Sequence, residues 1–467
     1  METVPRTARA LARLVRQAST RPPRDALATV VVHADAHFDA GARGGGHALD
    51  IAPPIGVSTT FASADGGPVY SRSSAPTRER CEEVLAAIEA ADDLSGGCTV
   101  RALLYSSGAA ATHAALHYLL GEADATRLRI SGGYHGTHQV AAQLQLMRAS
   151  LRIEPLPTEP ELERWLDGQP RASAGGALGG RDGDAGTPPV ESGDILWLET
   201  PKNPSCEVAD VALYARAARA ASTSTGRAFV VVDSTFAPPP VQRGLLVLGA
   251  TLVMHSSTKG LAGHSDALGG ALLVAEGKGA ATPAGAYAAL RAQRTALGAV
   301  PGSLEAWLLL RSLRTLDVRA RRQCASALAL ARWLSGEAAP APRGEENANE
   351  EALLARALRC VHAVHYPLLA SCVGHEAARR QMALGGSVLA LELHSAQAAQ
   401  ALPAQLRLFR DATSLGGVES LAEWRHKYDP IVSPRLVRLS VGVEDARDLC
   451  TDLARAIVRA SEGVGAG

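Results

Sequence analysis

Between residues 101 and 275 the chain alternates short β-rich runs with stretches of helical periodicity. The runs Arg101–Tyr105, Arg127–Ile130, Asp194–Leu198, Ala228–Asp233, Ala250–His255 and Gly270–Val274 predict strands. Ala109–Leu120, Thr137–Met147 and Ala209–Ala221 predict the helices between them. Runs such as Phe229-Val-Val-Val232 are apolar on both faces, as in a largely parallel sheet covered by helices. Such sheets gather ligands at the carboxyl ends of their strands. From about residue 303 the texture changes: one long amphipathic helix is predicted from Leu304 to about Leu330. A second α/β region follows, with strands near Val361–Tyr366 and Ser387–Leu393. The closing helix, Asp445–Arg459, carries Leu449, Leu453 and Ile457 on one face, and Glu444 and Asp445 at its start suit the helix dipole. Residues 168–193, rich in Gly, Ala, Asp and Pro, and residues 335–352, with prolines and a Glu/Asn cluster, are expected to be surface loops.

A length of 467 residues suggests two or three domains. Zero formal net charge removes the electrostatic case for nucleic acid or an anionic membrane, and an aromatic content of 4% argues against base stacking. No apolar run approaches bilayer length, so no membrane partner is expected. Seven cysteines stand singly, without a C-x-x-C pair, which favours reduced thiols in a cytosol-like compartment. His135 and His138 could share a helix face but lack an acid or thiol beside them, so no metal site is expected. Residues 1–24 hold six arginines and one acid, either an organelle transit peptide or a plain basic extension. The expected location is the cytoplasm, or a mitochondrion or plastid if that segment is a transit peptide.

The candidate chemistry centres on one lysine. Only four of the 47 Lys and Arg residues are lysine: Lys202, Lys259, Lys278 and Lys427. Arginine cannot supply a neutral amine near pH 7, whereas a desolvated lysine can. Lys259 follows a strand-like run and is flanked by hydroxyls and a glycine, a setting suited to a Schiff base with a carbonyl cofactor, although a lone lysine is usually a solvated one. Asp233 ends the strand Ala228–Asp233, where a buried carboxylate calls for a cation or donors, although an aspartate taken alone at such a place more often caps the turn that follows. Ser107-Gly108 opens a helix of small residues whose free N–H groups can cradle a phosphate, and Ser256 and Thr258 can add hydroxyls. Tyr70 and Arg72 suit phosphate recognition as well.

Seven segments occur in a fixed order: Tyr70-Ser-Arg-Ser-Ser-Ala-Pro-Thr77, Glu199-Thr-Pro-Lys-Asn-Pro204, Asp233-Ser-Thr-Phe236, His255-Ser-Ser-Thr-Lys259, Gly263-His-Ser-Asp266, Ser414-Leu-Gly-Gly417 and Arg438-Leu-Ser-Val-Gly442. Together they resemble the Cys/Met-metabolism family of pyridoxal-phosphate (PLP) enzymes: cystathionine γ-synthases, γ-lyases, β-lyases and their relatives. Gly133-Tyr-His-Gly136 and the run from Ser414 to Arg425 are most similar to a fungal-type γ-synthase-like subgroup. The resemblance implies an aspartate-aminotransferase-like (PLP fold type I) α/β architecture, with a mainly parallel large sheet and a smaller C-terminal α/β domain. It divides the chain into an extension (1–28), an arm reaching a neighbouring subunit (29–80), a PLP-binding domain (81–302) and a C-terminal domain (303–467). It implies that Lys259 holds the cofactor and acts as the base, and that Asp233 pairs with the pyridine nitrogen. Gly108, Ala109, Ser256 and Thr258 would bind the phosphate, with Tyr70 and Arg72 supplied by another subunit of a homo-oligomer, a dimer of dimers. Tyr134 would stack on the ring and aid proton transfer, Asn203 would lie near the 3-oxygen, Arg438 would grip the substrate α-carboxylate, and Ser414 would line the substrate side.

The departures fall on substrate choice. Where family members that hold a distal polar group usually have arginine, this chain has Gln139, which can hydrogen-bond but not pair as a cation. His135 replaces a glycine of the usual Tyr-Gly-Gly-Thr, and Gly136 stands where methionine γ-lyases resemble Tyr-Gly-Cys-Thr. Thr413 stands where many γ-lyases carry glutamate, and Ala75 replaces an asparagine. The resemblance implies γ-replacement, joining cysteine to an activated homoserine. A carbon–sulfur lyase is the nearest alternative, and a cofactor-binding pseudoenzyme a distant one.

Overall fold

The computed structural model describes residues 27–36, 38, 51–62, 67–90, 98–121, 123–168, 188–340 and 348–463. The basic segment 1–24, residues 37, 39–50 and 63–66 of the arm, and residues 169–187 of the segment 168–193 lie outside them. Seven strands form the larger sheet: β1 (Thr99–Tyr105), β2 (Arg127–Arg129), β3 (Arg152–Glu154), β4 (Asp194–Glu199), β5 (Phe229–Asp233), β6 (Leu252–His255) and β7 (Gly270–Glu276). Their order is β1-β7-β6-β5-β4-β2-β3. Every neighbouring pair from β6 through β3 is parallel; β7 runs antiparallel to both β1 and β6.

The two-residue period of a strand explains how this sheet is sandwiched. Leu196, Leu198, Val230 and Val232 point to a core shared with Val84, Leu85 and Ile88 of the helix Pro76–Glu89 and Leu309 of the helix Ser303–Leu313. Ile195, Trp197, Phe229 and Val231 point the other way, against Ala115 and Leu119 of the helix Gly108–Gly121 and Leu144 of the helix His135–Met147. The carboxyl ends of β4, β5 and β6 thus open onto a single rim.

The second sheet has five strands: β8 (Val361–His365), β9 (Val388–Leu393), β10 (Arg410–Asp411), β11 (Leu421–Trp424) and β12 (Leu436–Ser440), in the order β10-β11-β12-β9-β8. Its core includes Leu449, Leu453 and Ile457 of the closing helix Ala446–Glu462, whose N-cap Asp445 accepts from Arg447 N at 2.9 Å.

Two expectations are corrected. The single helix expected from Leu304 to about Leu330 is two helices, Ser303–Leu313 and Leu316–Leu334. Arg319 draws the Ser312 carbonyl out of helical pairing (2.9 Å to Nη2), and the Thr315 hydroxyl donates to the same oxygen at 3.2 Å. The polar stretch 335–352 is not wholly a loop, because the helix Ala348–Leu358 starts inside it; Leu354 and Ala357 anchor that helix on the core, with Leu353 and Leu358 packed beside them.

Candidate active site

Lys259 sits in a tight turn just beyond β6. Its main-chain N–H donates to Ser256 O at 3.1 Å, and its carbonyl accepts from Gly263 N at 2.8 Å. Arg319 braces this turn, donating to Gly260 O at 3.1 Å and to Leu261 O at 3.2 Å. Gly263 has φ +65°, and a Cβ there would lie 1.9 Å from Arg319 Nη1, so glycine is required twice over. The Lys259 amine donates to Ser414 Oγ at 2.8 Å. Burial, reinforced by the nearby Arg438 guanidinium, lowers the amine to about 8, against a smaller opposing pull from Glu423. It is therefore within reach of the neutral form that a Schiff base requires.

Ser414 has φ +96°, a strained setting for a side chain other than glycine's. That backbone sends its hydroxyl to Lys259 and its carbonyl to Arg438 Nη2 at 3.0 Å. Arg438 also donates to Asn203 Oδ1 at 3.0 Å. One buried guanidinium thus joins the Lys259 turn to the rim of β4. Burial pushes Arg438 down to about 10, with Glu423 raising it and Arg425 lowering it.

Asp233 and Glu199 are paired across β5 and β4. Asp233 is 4% exposed, and its Oδ1 accepts from Thr235 N at 3.0 Å. Glu199 turns its carboxyl inward: Oε2 accepts from Tyr134 N at 2.6 Å and Oε1 from Asn203 N at 3.0 Å. Burial holds both acids above the ordinary carboxylate range, and the charge of Asp233 adds to the effect on Glu199. The pair calls for a cation. A protonated pyridine nitrogen beside Asp233 meets that requirement.

Gly108 opens its helix against Ser256, where a Cβ would lie 2.9 Å from the serine Cβ. Such close approach leaves the N–H groups of Gly108 and Ala109 available to a phosphate. The donor set and the cradle therefore both fit PLP. Thr258 is more committed than expected: its hydroxyl donates to Gly269 O at 3.1 Å and accepts from Gly269 N at 3.0 Å. Donating to a phosphate would require it to release the Gly269 carbonyl.

Tyr134 is 45% exposed, with its ring 4.7 Å from that of His135. In this arrangement a Cβ at Gly136 would fall 2.3 Å from Tyr134 Cε1, so a cysteine at that position would displace the tyrosine. Gln139 is exposed on the same helix. Tyr70 and Arg72 are exposed, with Arg72 Nη1 on Thr295 O at 2.8 Å and its guanidinium carbon 5.6 Å from the Tyr70 ring centre. Among the described residues no cluster of three or more His, Cys, Asp or Glu is placed to hold a metal, and no helix is long and apolar enough to cross a membrane.

Glu199, Arg319, Glu423 and Arg425 were not singled out by sequence reasoning. The first carried a signal, standing at the end of a strand and opening a motif. Arg319 carried none, being one basic residue among many on an amphipathic helix.

A family model for the Cys/Met metabolism PLP-dependent enzymes matches residues 190–458. The chain is 34% identical over 418 residues to a cystathionine gamma-synthase of Mycobacterium bovis, covering 86% of this chain and 91% of that one. It is 30% identical over 457 residues to a cystathionine gamma-lyase of Saccharomyces cerevisiae, covering 94% and 98%. Among solved structures it is similar to CalE6, a methionine gamma lyase from Micromonospora echinospora, with a TM-score of 0.70, 33% identity and coverage of 93% and 99%. A fold of this type, a lysine held near neutrality beside a buried acid pair, and relatives matched over most of their length place the chain in the Cys/Met-metabolism family of PLP-dependent enzymes.

Proposed function

We propose that the protein is a cystathionine γ-synthase-like enzyme that replaces the γ-substituent of an activated homoserine with cysteine. The observation that carries this reading is the Lys259 amine 2.8 Å from Ser414 Oγ, on a backbone whose carbonyl meets Arg438. When bound, PLP supplies an electron sink for negative charge at the substrate α-carbon. Arg438 holds the α-carboxylate, fixing the α- and β-carbons within reach of one amine. With its amine free, Lys259 would take the α-proton, hand it on to the bound cofactor, and, neutral again, take a β-proton. Loss of these two protons lets the γ-substituent leave with its bonding electrons as a carboxylate or phosphate. A cysteine thiolate then forms the C–S bond at the γ-carbon, and the protons return to the β- and α-carbons. Asp233 would hold the ring nitrogen in its cationic form, and Asn203 and Tyr134 would help to hold the cofactor in place. Uncharged Gln139 would meet an acyl carbonyl rather than a carboxylate.

A lyase reading is favoured by the yeast relative, a cystathionine gamma-lyase matched over 98% of its length. Product analysis separates the two. Given cysteine with O-succinyl-, O-acetyl- or O-phosphohomoserine, the enzyme is expected to form cystathionine faster than it releases ammonia. Ammonia from cystathionine alone, with no cystathionine formed in those mixtures, would replace the synthase reading with the lyase one.

The exposed positions of Tyr70 and Arg72 support a site completed by a second copy of the chain. Arg72→Ala and Lys259→Met should each be inactive alone. Mixed under conditions that exchange subunits, they should recover about a quarter of wild-type activity, because half the dimers then carry one intact site. No recovery despite demonstrated exchange would place both residues in one subunit's site.

A further inference from the structure

Glu423 of β11 lies directly across from Arg438 of β12. Arg425, two residues later at the start of the short turn Arg425–Lys427, brings a second guanidinium to the same carboxylate. Glu423 Oε2 is 2.5 Å from Arg438 Nη2 and accepts from Arg425 Nη1 at 3.0 Å. The three residues are 2 to 4% exposed. Both arginines use the same oxygen, while Glu423 Oε1 and Arg425 Nε have no hydrogen-bond partner. The other acceptors on Arg438, Asn203 Oδ1 and the Ser414 carbonyl, are neutral. Within this triad two cations face one anion, an excess of one positive charge that a further anion would relieve; Glu199, which also acts on Arg438, is held above the ordinary carboxylate range by burial.

We propose that Arg425 is a charge-balancing residue of the substrate site: it offsets Glu423 so that Arg438 presents a net positive charge to the α-carboxylate. With Arg425 neutral, Glu423 would cancel Arg438, and an incoming carboxylate would meet an ion pair of no net charge. Arg425 acts through Glu423 and Arg438 and is a positioning residue, not a catalytic one. The inference rests on the reading of Arg438 as the carboxylate grip.

The test uses the holoenzyme and two unreactive amines, glycine and methylamine, whose binding is followed by the cofactor's visible absorbance. Arg425→Met should weaken glycine binding about tenfold or more and leave methylamine, which has no carboxylate, unchanged. Arg425→Lys, which keeps the charge, should stay close to wild type. The double variant Glu423→Gln/Arg425→Met restores the net charge and should recover glycine binding to within about threefold of wild type. A merely structural role for Arg425 predicts no such recovery and no difference between the two ligands. Unchanged glycine binding in Arg425→Met, or a double variant as weak as the single one, would overturn the proposal. If Arg425→Met does not fold, the double variant and Arg425→Lys decide the matter by the same criteria. Arg438→Met separates the two levels: if it leaves glycine binding intact, the carboxylate-grip reading fails. If only Arg438→Met weakens binding, the role of Arg425 alone fails.

Discussion

Lys259→Met should give an inactive protein that holds no cofactor covalently and, without cofactor, is more stable than the cofactor-free wild type. Loss of the amine removes both covalent attachment and the proton acceptor, and turnover should fall by about 10^4-fold or more. The stability gain follows from the same burial that serves the chemistry. The amine titrates at about 8 in the folded chain against an ordinary 10.5. Below pH 8 it is charged in both folded and unfolded states, and the folded state bears the full penalty. Between 8 and 10.5 the unfolded state binds more protons, so wild-type stability rises with pH and the penalty fades. The variant should therefore exceed the cofactor-free wild type by about 2 kcal/mol at pH 7, with the difference gone by pH 10.5. Urea unfolding of the two proteins across that range checks this; a difference that ignores pH would show that the amine is not held down by its surroundings.

Asp233→Asn should lower turnover by about 10^3-fold while leaving the cofactor attached, because the ring nitrogen loses its anionic partner and Lys259 is untouched. A second effect comes from Glu199. An acid held above its ordinary range stabilises the fold at low pH and loses that contribution as pH rises through the folded value. The ordinary values are 3.8 for Asp233 and 4.5 for Glu199, and both are raised. The cofactor-free wild type should thus lose stability as pH climbs from about 4 toward neutrality. Asp233→Asn should flatten that slope, since it removes one titrating acid and the charge that raises the other. A visible spectrum and a pH series of unfolding curves test both halves; an unchanged slope would mean that Asp233 is not held above its ordinary range.

The cofactor half of the site was legible because its residues declare themselves locally. Asp233 ends an apolar strand, Gly108 follows one, and Lys259 is an amine in an arginine-rich chain between hydroxyls. What escaped the sequence acts across long separations. Arg319 reaches back to Gly260 and Leu261, and the same side chain helps break the helix that periodicity alone would run through. The antiparallel β7 is invisible because an apolar run carries no direction. The helix Ala348–Leu358 hides in a polar stretch because its apolar positions follow a Glu/Asn cluster that composition reads as loop. Thr258 stands where a phosphate ligand is expected, yet its hydroxyl is taken by Gly269, which only the folded turn brings alongside.

Borohydride reduction of the holoenzyme, followed by proteolysis and mass spectrometry, bears directly on the chemistry assigned to this site. With four lysines in the chain, the assignment has few alternatives. The expected result is a phosphopyridoxyl adduct on Lys259 and on none of Lys202, Lys278 or Lys427. An adduct confined to one of those three, or none on any lysine of an active, coloured enzyme, would contradict it.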